Sequence, residues 1–196
     1  MAITTDTIKE LRDITGISVM QCKKALEESD GDMDKAVILL RKKGAKDAEK
    51  KSDRTLGAGA IAAYIHGNGS VGAMVELSCE TDFVSKNEEF RQVAYDIAMH
   101  IAAQNPKYKA EKDIPEADKE KAKEVFIKEV ADKPDDMKEK ILEGKLASHF
   151  KEQVLLDQTF IKNPELTIAD LVQNAVQKFG EKVEISHFVR LSTIDS

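Results

Sequence analysis

Tryptophan is absent, and only 5% of the 196 residues are aromatic. Positive charge is not in surplus either, since the net charge is −6. A chain without a basic stripe interleaved with aromatics is a poor binder of polyanions, so direct nucleic-acid binding is disfavoured. Cysteine is scarce. Cys22 and Cys79 stand in separate segments, which leaves neither a disulfide framework nor a CxxC metal site. The four histidines (His66, His100, His149 and His187) are scattered, with no partner at metal-ligand or triad spacing. His100, between Met99 and Ile101, reads as a structural histidine. No G-x-x-x-x-G-K-[ST] phosphate loop occurs. The expectation is a protein with no cofactor and no chemical catalysis of its own. No stretch approaches the roughly 18 apolar residues that span a bilayer, and "MAITTDTIKEL" has neither an apolar signal core nor an Arg/Ser-rich transit pattern. The expected setting is the cytoplasm, or an organellar matrix in a eukaryote, with no membrane partner. "NGS" at Asn68 matches a glycosylation acceptor, but in such a setting it reads as a turn.

What is present is 41% hydrophobic and 34% charged residues, the balance of a folded, helix-rich chain of one or two domains with a well-solvated surface. Residues 1–43 read as three short helices. Ile8, Leu11 and Ile14 share a face that Gly16 can terminate, and Ser18 with Gln21 reads as a capping box for a helix carrying Met20 or Val19, Ala25 and Leu26. Asp32 caps a third helix bearing Met33, Ala36, Val37 and Leu40. This unit resembles a ubiquitin-associated-type bundle. Residues 44–59, charged and glycine-containing, read as a linker. Within 41–54, seven basic residues oppose three acidic ones for a local net of +4, either a solvated run or a surface that steers a partner. "GAGAIA" at Gly57–Ala62 imitates a dinucleotide fingerprint, but it follows a charged stretch and enters a strand instead of opening a helix.

From Ala60 the period changes. "AIAAYIH" and "VGAMVELSC" flank Asn68-Gly69 as a hairpin, apolar enough that helices should cover at least one of the strands. A helix follows over about 86–103, capped by Ser85 with Glu88 and striped by Phe90, Val93, Ala94, Ile97 and Ile101. Two charged helices split by "ADKP" form an antiparallel hairpin over about 115–153, with Val125, Phe126 and Val130 on one and Met137, Ile141 and Leu142 on the other. Thr167 with Asp170 opens a helix that Gly180 stops, and "KVEISHFVRLS" alternates Val183, Ile185, His187 or Phe188, and Val189 as a strand returning to the hairpin. The expected fold is α+β: an N-terminal three-helix bundle (1–43), a linker (44–59), and a core (60–196) of about three antiparallel strands with helices on one face and a projecting helical hairpin.

With catalysis unsupported, surfaces remain. A bundle this small cannot bury every apolar side chain, so Val19 or Met20 near Arg12 and Lys23 is either ordinary core, the reading that spacing favours, or an exposed partner contact. In "TDFV", Thr81 and Asp82 form either a local turn or part of a presented surface. By pattern alone Phe83 and Val84 cover the sheet end.

Two long stretches change that reading. "LRDITGISVMQCKKAL" (Leu11–Leu26) and "ELSCETDFVSK" (Glu76–Lys86) resemble, in order, the two signature segments of the elongation factor Ts family, the nucleotide exchange factors of the GTPase elongation factor Tu. "GDMDKAVILLRKKGA", "IAMHIAAQNPKY", "EGKL" and "VEISHFVRLS" extend the resemblance over essentially the whole chain. The resemblance implies that Thr81, Asp82, Phe83 and Val84 form the loop that disturbs the Mg²⁺/phosphate site of elongation factor Tu, Phe83 acting as a wedge. It implies that Arg12, Val19, Met20 and Lys23 anchor the N-terminal domain on that partner, and that His66 contacts it from a hairpin. Longer members duplicate the core. This chain has room for one copy, so resemblance to the short members implies a homodimer. The alternative, suggested by the bundle alone, is a ubiquitin-type adaptor without exchange activity.

Overall fold

The computed structural model describes residues 3–130 and 134–193. They divide into two units, one formed by the chain up to Ala103 with the segment from Thr159 onward, the other by Gln104–Gln158.

The first unit opens with α1 (Thr5–Thr15), α2 (Val19–Glu28) and α3 (Met33–Glu49). Each start has a side-chain cap: the hydroxyl of Thr4 accepts from Thr7 N at 3.2 Å, that of Ser18 from Gln21 N at 3.4 Å, and Asp32 Oδ1 from Lys35 N at 3.0 Å. The expected Ser18–Gln21 box is only half formed, because Gln21 does not return the bond. Gly16 closes α1 in the left-handed region, at φ 70°. Leu11, Ile17, Cys22, Ala25, Leu26, Ala36 and Leu40 make the bundle's core, and Ile8, Met33 and Val37 pack on it.

Helix α3 runs six residues past the boundary expected at 43, so the stretch read as linker begins as helix. Its composition is that of a linker, but Gly44 is buried against a later helix, α8 (Ile168–Phe179). A Cβ at Gly44 would stand 2.4 Å from Gln177 Nε2, and that nitrogen donates to Leu40 O at 2.9 Å. Asn174 Nδ2 donates to Thr15 O at 2.8 Å and Asn163 Nδ2 to Ile14 O at 3.1 Å. Ala45, Lys46, Ala48 and Glu49 favour helix, and packing on α8 offsets the cost of Gly44.

The sheet contains β1 (Ala58–His66), β2 (Val71–Cys79) and β3 (Val183–Ser192), all antiparallel in the order β1-β2-β3. The β1–β2 turn spans Gly67–Ser70, with Gly67 and Gly69 at φ 51° and 85° and Asn68 Oδ1 accepting from Ser70 N at 3.2 Å. One face is covered by α5 (Glu88–Gln104) and α8. Ala73, Val75 and Leu77 are buried there, Tyr64 packs edge-on against Tyr95, and Arg190 Nε donates to Ala102 O at 3.0 Å. β3 does not alternate throughout. The register passes from Leu77↔Ile185 to Glu76↔His187, so Ser186 is a bulge residue that reverses the parity of the rest of the strand. Val183 and Ile185 point inward, whereas Val189, expected on the same face, is turned to solvent. α8 begins with the reciprocal Thr167–Asp170 box and ends at Gly180, φ 71°.

In the second unit α6 (Glu116–Glu129) and α7 (Asp135–Gln153) run antiparallel, shown by Phe126 packing edge-on against His149 and Lys145 pairing with Glu129 at 2.7 Å. Val130 is buried while Phe126, Ile141 and Leu142 are half-buried. Val125 and Met137, expected in the stripe, are exposed, since one narrow seam between two helices leaves no room for them. Most of the expected "ADKP" break, residues 131–133, lies outside the described residues.

Candidate functional site

β2 ends at Cys79, opposite Ala58 at the start of β1. The next residues, for which a local turn at Thr81 and Asp82 was one of two readings, form a single helical turn, α4 (Asp82–Ser85), before α5 starts separately at Glu88. Ser85 is therefore inside a turn and not a cap. Asn87 takes that role, its Oδ1 accepting from Glu89 N at 2.8 Å. Successive residues of a helical turn point about 100° apart, so a turn that buries Val84 and Ser85 directs the two residues before them outward. Val84 is 5% exposed and Phe83 83%. The pattern-based expectation of a core Phe83 is thus corrected: the ring stands in solvent. Asp82 is exposed beside it, its Oδ2 2.5 Å from Lys86 Nζ. The hydrogen bond from the Lys86 ammonium, with its charge, holds the Asp82 carboxyl below the usual carboxylate range.

The base of this turn is held by groups distant in sequence. Glu181, which follows the left-handed Gly180, accepts from Glu80 N and Thr81 N at 3.0 Å each and from Thr81 Oγ1 at 2.6 Å. In return Glu80 Oε1 accepts from Lys182 N at 2.5 Å and from Arg54 Nη1 at 3.1 Å. The Lys182 amide, then the Arg54 guanidinium, holds the Glu80 carboxyl below its usual range. Lys182 Nζ also donates to Ser52 O at 2.6 Å, so the segment following α3 joins the same cluster. Cys79 Sγ donates to Thr81 O at 3.2 Å, and burial, then the Glu181 charge, pushes its thiol pKa up. The sequence carried no signal of Glu80, Arg54 or Glu181. Their partners are 26 to 102 residues away, and only the fold brings them together.

On the bundle, Val19 is 51% and Met20 80% exposed, because Cys22, Ala25 and Leu26 take the inward face of α2. Spacing had favoured core for both. Arg12 and Lys23 are also exposed, flanking the same α1–α2 turn, and Lys23 lies 3.8 Å from Glu27. His66 is exposed with Nδ1 2.9 Å from Tyr64 Oη. It sits at the far end of β1 from the Thr81–Val84 turn: His66 pairs with Val71, and Ala58 with Cys79. Nine strand residues span about 27 Å, so these two expected sites are not one site. The uncovered sheet face carries Ile61, Ile65, Met74, Val189 and Leu191, of which Leu191 is 72% exposed. This apolar face, which helps the monomer little, was not anticipated. Among the described residues no group of His, Cys, Asp or Glu is arranged to hold a metal ion, and no helix is long and apolar enough to cross a membrane.

Such an arrangement, apolar side chains presented on rigid turns and an uncovered sheet, defines a protein built to dock on other proteins. Comparison with known proteins makes the class specific. The family model described as "Elongation factor TS" matches residues 49–194, and one described as "UBA-like domain" matches residues 4–47. The elongation factor Ts of Thermodesulfovibrio yellowstonii is 52% identical over 191 residues, 97% of this chain and 96% of that protein. Those of Thermotoga neapolitana and Thermosipho melanesiensis are 46% and 44% identical, covering 97% of this chain and 96% and 98% of theirs. The chain belongs to the elongation factor Ts family. Membership makes it a translation elongation factor and implies elongation factor Tu as its partner.

Proposed function

We propose that the chain binds GDP-bound elongation factor Tu in the cytoplasm and accelerates GDP release by inserting the Thr81–Val84 turn beside the Mg²⁺/phosphate site. An exchange factor must bind the nucleotide-free GTPase more tightly than the GDP-bound one. GDP is held through its phosphates and the Mg²⁺ that neutralises them, so a group that disturbs the metal's surroundings weakens the nucleotide selectively. The observation carrying this reading is the exposure of Phe83 on a turn anchored at both ends. A rigid aromatic offers a large contact area at small rotamer cost. Asp82, held ionised by Lys86, brings negative charge to the metal's vicinity. Val19, Met20, Arg12 and Lys23 form the anchoring surface, and His66 adds a contact at the hairpin end.

A second copy of the chain completes the assembly through the uncovered sheet face. Ala63, Met74 and Val189 form one row across the three strands, and Ile65, Gly72 and Leu191 the next, so two such faces can pack as a sandwich. The test follows fluorescent GDP leaving elongation factor Tu, with and without the chain. No acceleration by the wild-type protein would sink the proposal, and ubiquitin binding in its place would favour an adaptor.

A further inference from the structure

An 83%-exposed ring has almost no contacts of its own to hold it, so its direction depends on the backbone beneath. That backbone is a turn of four helical residues, far too short to persist alone, and its N-cap residue makes no capping bond. The Thr81 hydroxyl, the natural cap, is engaged elsewhere, donating to Glu181. Burial of Val84 and Ser85, with Arg91 Nε donating to Ser85 O at 3.2 Å, fixes the C-terminal end of the turn. At the N-terminal end Cys79 Sγ donates to Thr81 O, and the larger constraint is Glu181, whose single carboxylate takes three donors from Glu80 and Thr81. It reaches them because Gly180, at φ 71°, reverses the chain at the end of α8. The Glu80 carboxylate returns the contact through the Lys182 amide. The carboxylate-to-backbone pairs are thus reciprocal between the end of β2 and the α8–β3 junction, and a tilt of α4 must break several bonds together.

We infer that Glu181 is a positioning residue for exchange, setting the angle at which Phe83 is presented. This rests on the wedge reading above. Glu181 does not touch the partner in this scheme; it acts through Thr81 and the turn. Its acceptor capacity is what matters. Oε2 takes both backbone N–H groups and Oε1 the Thr81 hydroxyl, so Glu181→Met removes every oxygen acceptor, whereas Glu181→Gln can keep the contacts with its oxygen in the Oε2 place and its NH₂ donating to Thr81 Oγ1.

The experiment compares wild type, Glu181→Met, the conservative Glu181→Gln, Phe83→Ala and the double variant Glu181→Met with Phe83→Ala by stopped-flow release of fluorescent GDP from elongation factor Tu. Affinity for nucleotide-free elongation factor Tu, thermal melting, and hydrogen exchange at the Glu80 and Thr81 amides are measured alongside. Glu181→Gln should stay near wild type, whereas Glu181→Met should lose protection at those two amides and cut the maximal release rate about tenfold, the scale expected when a positioned group is loosened by under 1 Å. Affinity should change by less than about threefold and melting should stay near wild type, while the double variant releases GDP no more slowly than Phe83→Ala alone. Thr81→Val, which removes one of the three bonds, should show a smaller loss. The inference is overturned if release by Glu181→Met matches wild type, if its loss only follows loss of fold, or if the double variant loses the product of both effects. Wild type failing to accelerate release would instead remove the wedge reading, and this inference with it.

Discussion

Replacing Phe83 with alanine separates the two jobs that a docking side chain can do. In the free protein the ring is 83% exposed, so truncation removes little packing and folding stability should change by no more than about 0.5 kcal/mol. The same exposure means that nearly all of its area is available to a partner. A phenylalanine presenting about 150 Å² of apolar surface gains up to about 4 kcal/mol when buried, at roughly 25 cal/mol per Å². If half of that survives the ordering costs of the encounter, about 2 kcal/mol is lost with the ring, a factor of about 30. Under the wedge reading this energy is expressed when nucleotide is leaving. Phe83→Ala should therefore lower the maximal rate of GDP release about 30-fold while weakening the nucleotide-free complex by severalfold at most. Stopped-flow release across a range of factor concentrations measures the first quantity, and titration of nucleotide-free elongation factor Tu measures the second. Equal losses in both would refute the reasoning and make Phe83 an anchor; an unchanged release rate would remove it from the site.

Three further outcomes are expected. Under the proposed pairing of two copies, Leu191→Glu on the uncovered sheet face, where the side chain is 72% exposed in the single chain, should leave melting of the monomer nearly unchanged and abolish dimers in sedimentation. The Glu80 carboxyl titrates below its usual range in the folded state, so its contribution to stability is complete above the ordinary carboxylate pKa of about 4 and lost as pH falls through the lower folded value. The melting difference between wild type and Glu80→Gln should accordingly be present at neutral pH and vanish in acid. A difference that grows in acid would contradict the assigned hydrogen bonds. Gly44→Val should destabilise the protein by about 1–3 kcal/mol in urea titration, since a Cβ there displaces Gln177 Nε2 from its bond to Leu40 O and meets Gln173 Cβ at 3.5 Å. Unchanged stability would mean that α3 and α8 separate at little cost.

Local chemistry alone placed most of the scaffold. Thr167–Asp170, Asp32, Gly16, Gly180 and Asn68-Gly69 act through neighbours within four residues, so their caps and turns are legible from the chain in order. The same holds for the three-strand α+β plan, whose apolar periods change sharply at each element. The extension of α3 to Glu49 escaped this reading, because a charged segment with Gly44 looks like a linker until α8 packs on it. The Ser186 bulge escaped it too, since one inserted residue reverses strand parity without altering composition. At the site, spacing placed Phe83, Val19 and Met20 in the core, and the long signature segments were needed to suggest that they face outward. That they do was decided in three dimensions, by Val84 facing inward on α4 and by Cys22, Ala25 and Leu26 occupying the inner face of α2. The sequence by itself determined most of the caps and turns and the three-strand α+β plan, because those depend on short-range sterics and capping. Only the tertiary structure decided that Glu80, Thr81, Arg54 and Glu181 form one clamp and that one apolar sheet face is left uncovered, because both depend on contacts between segments distant along the chain.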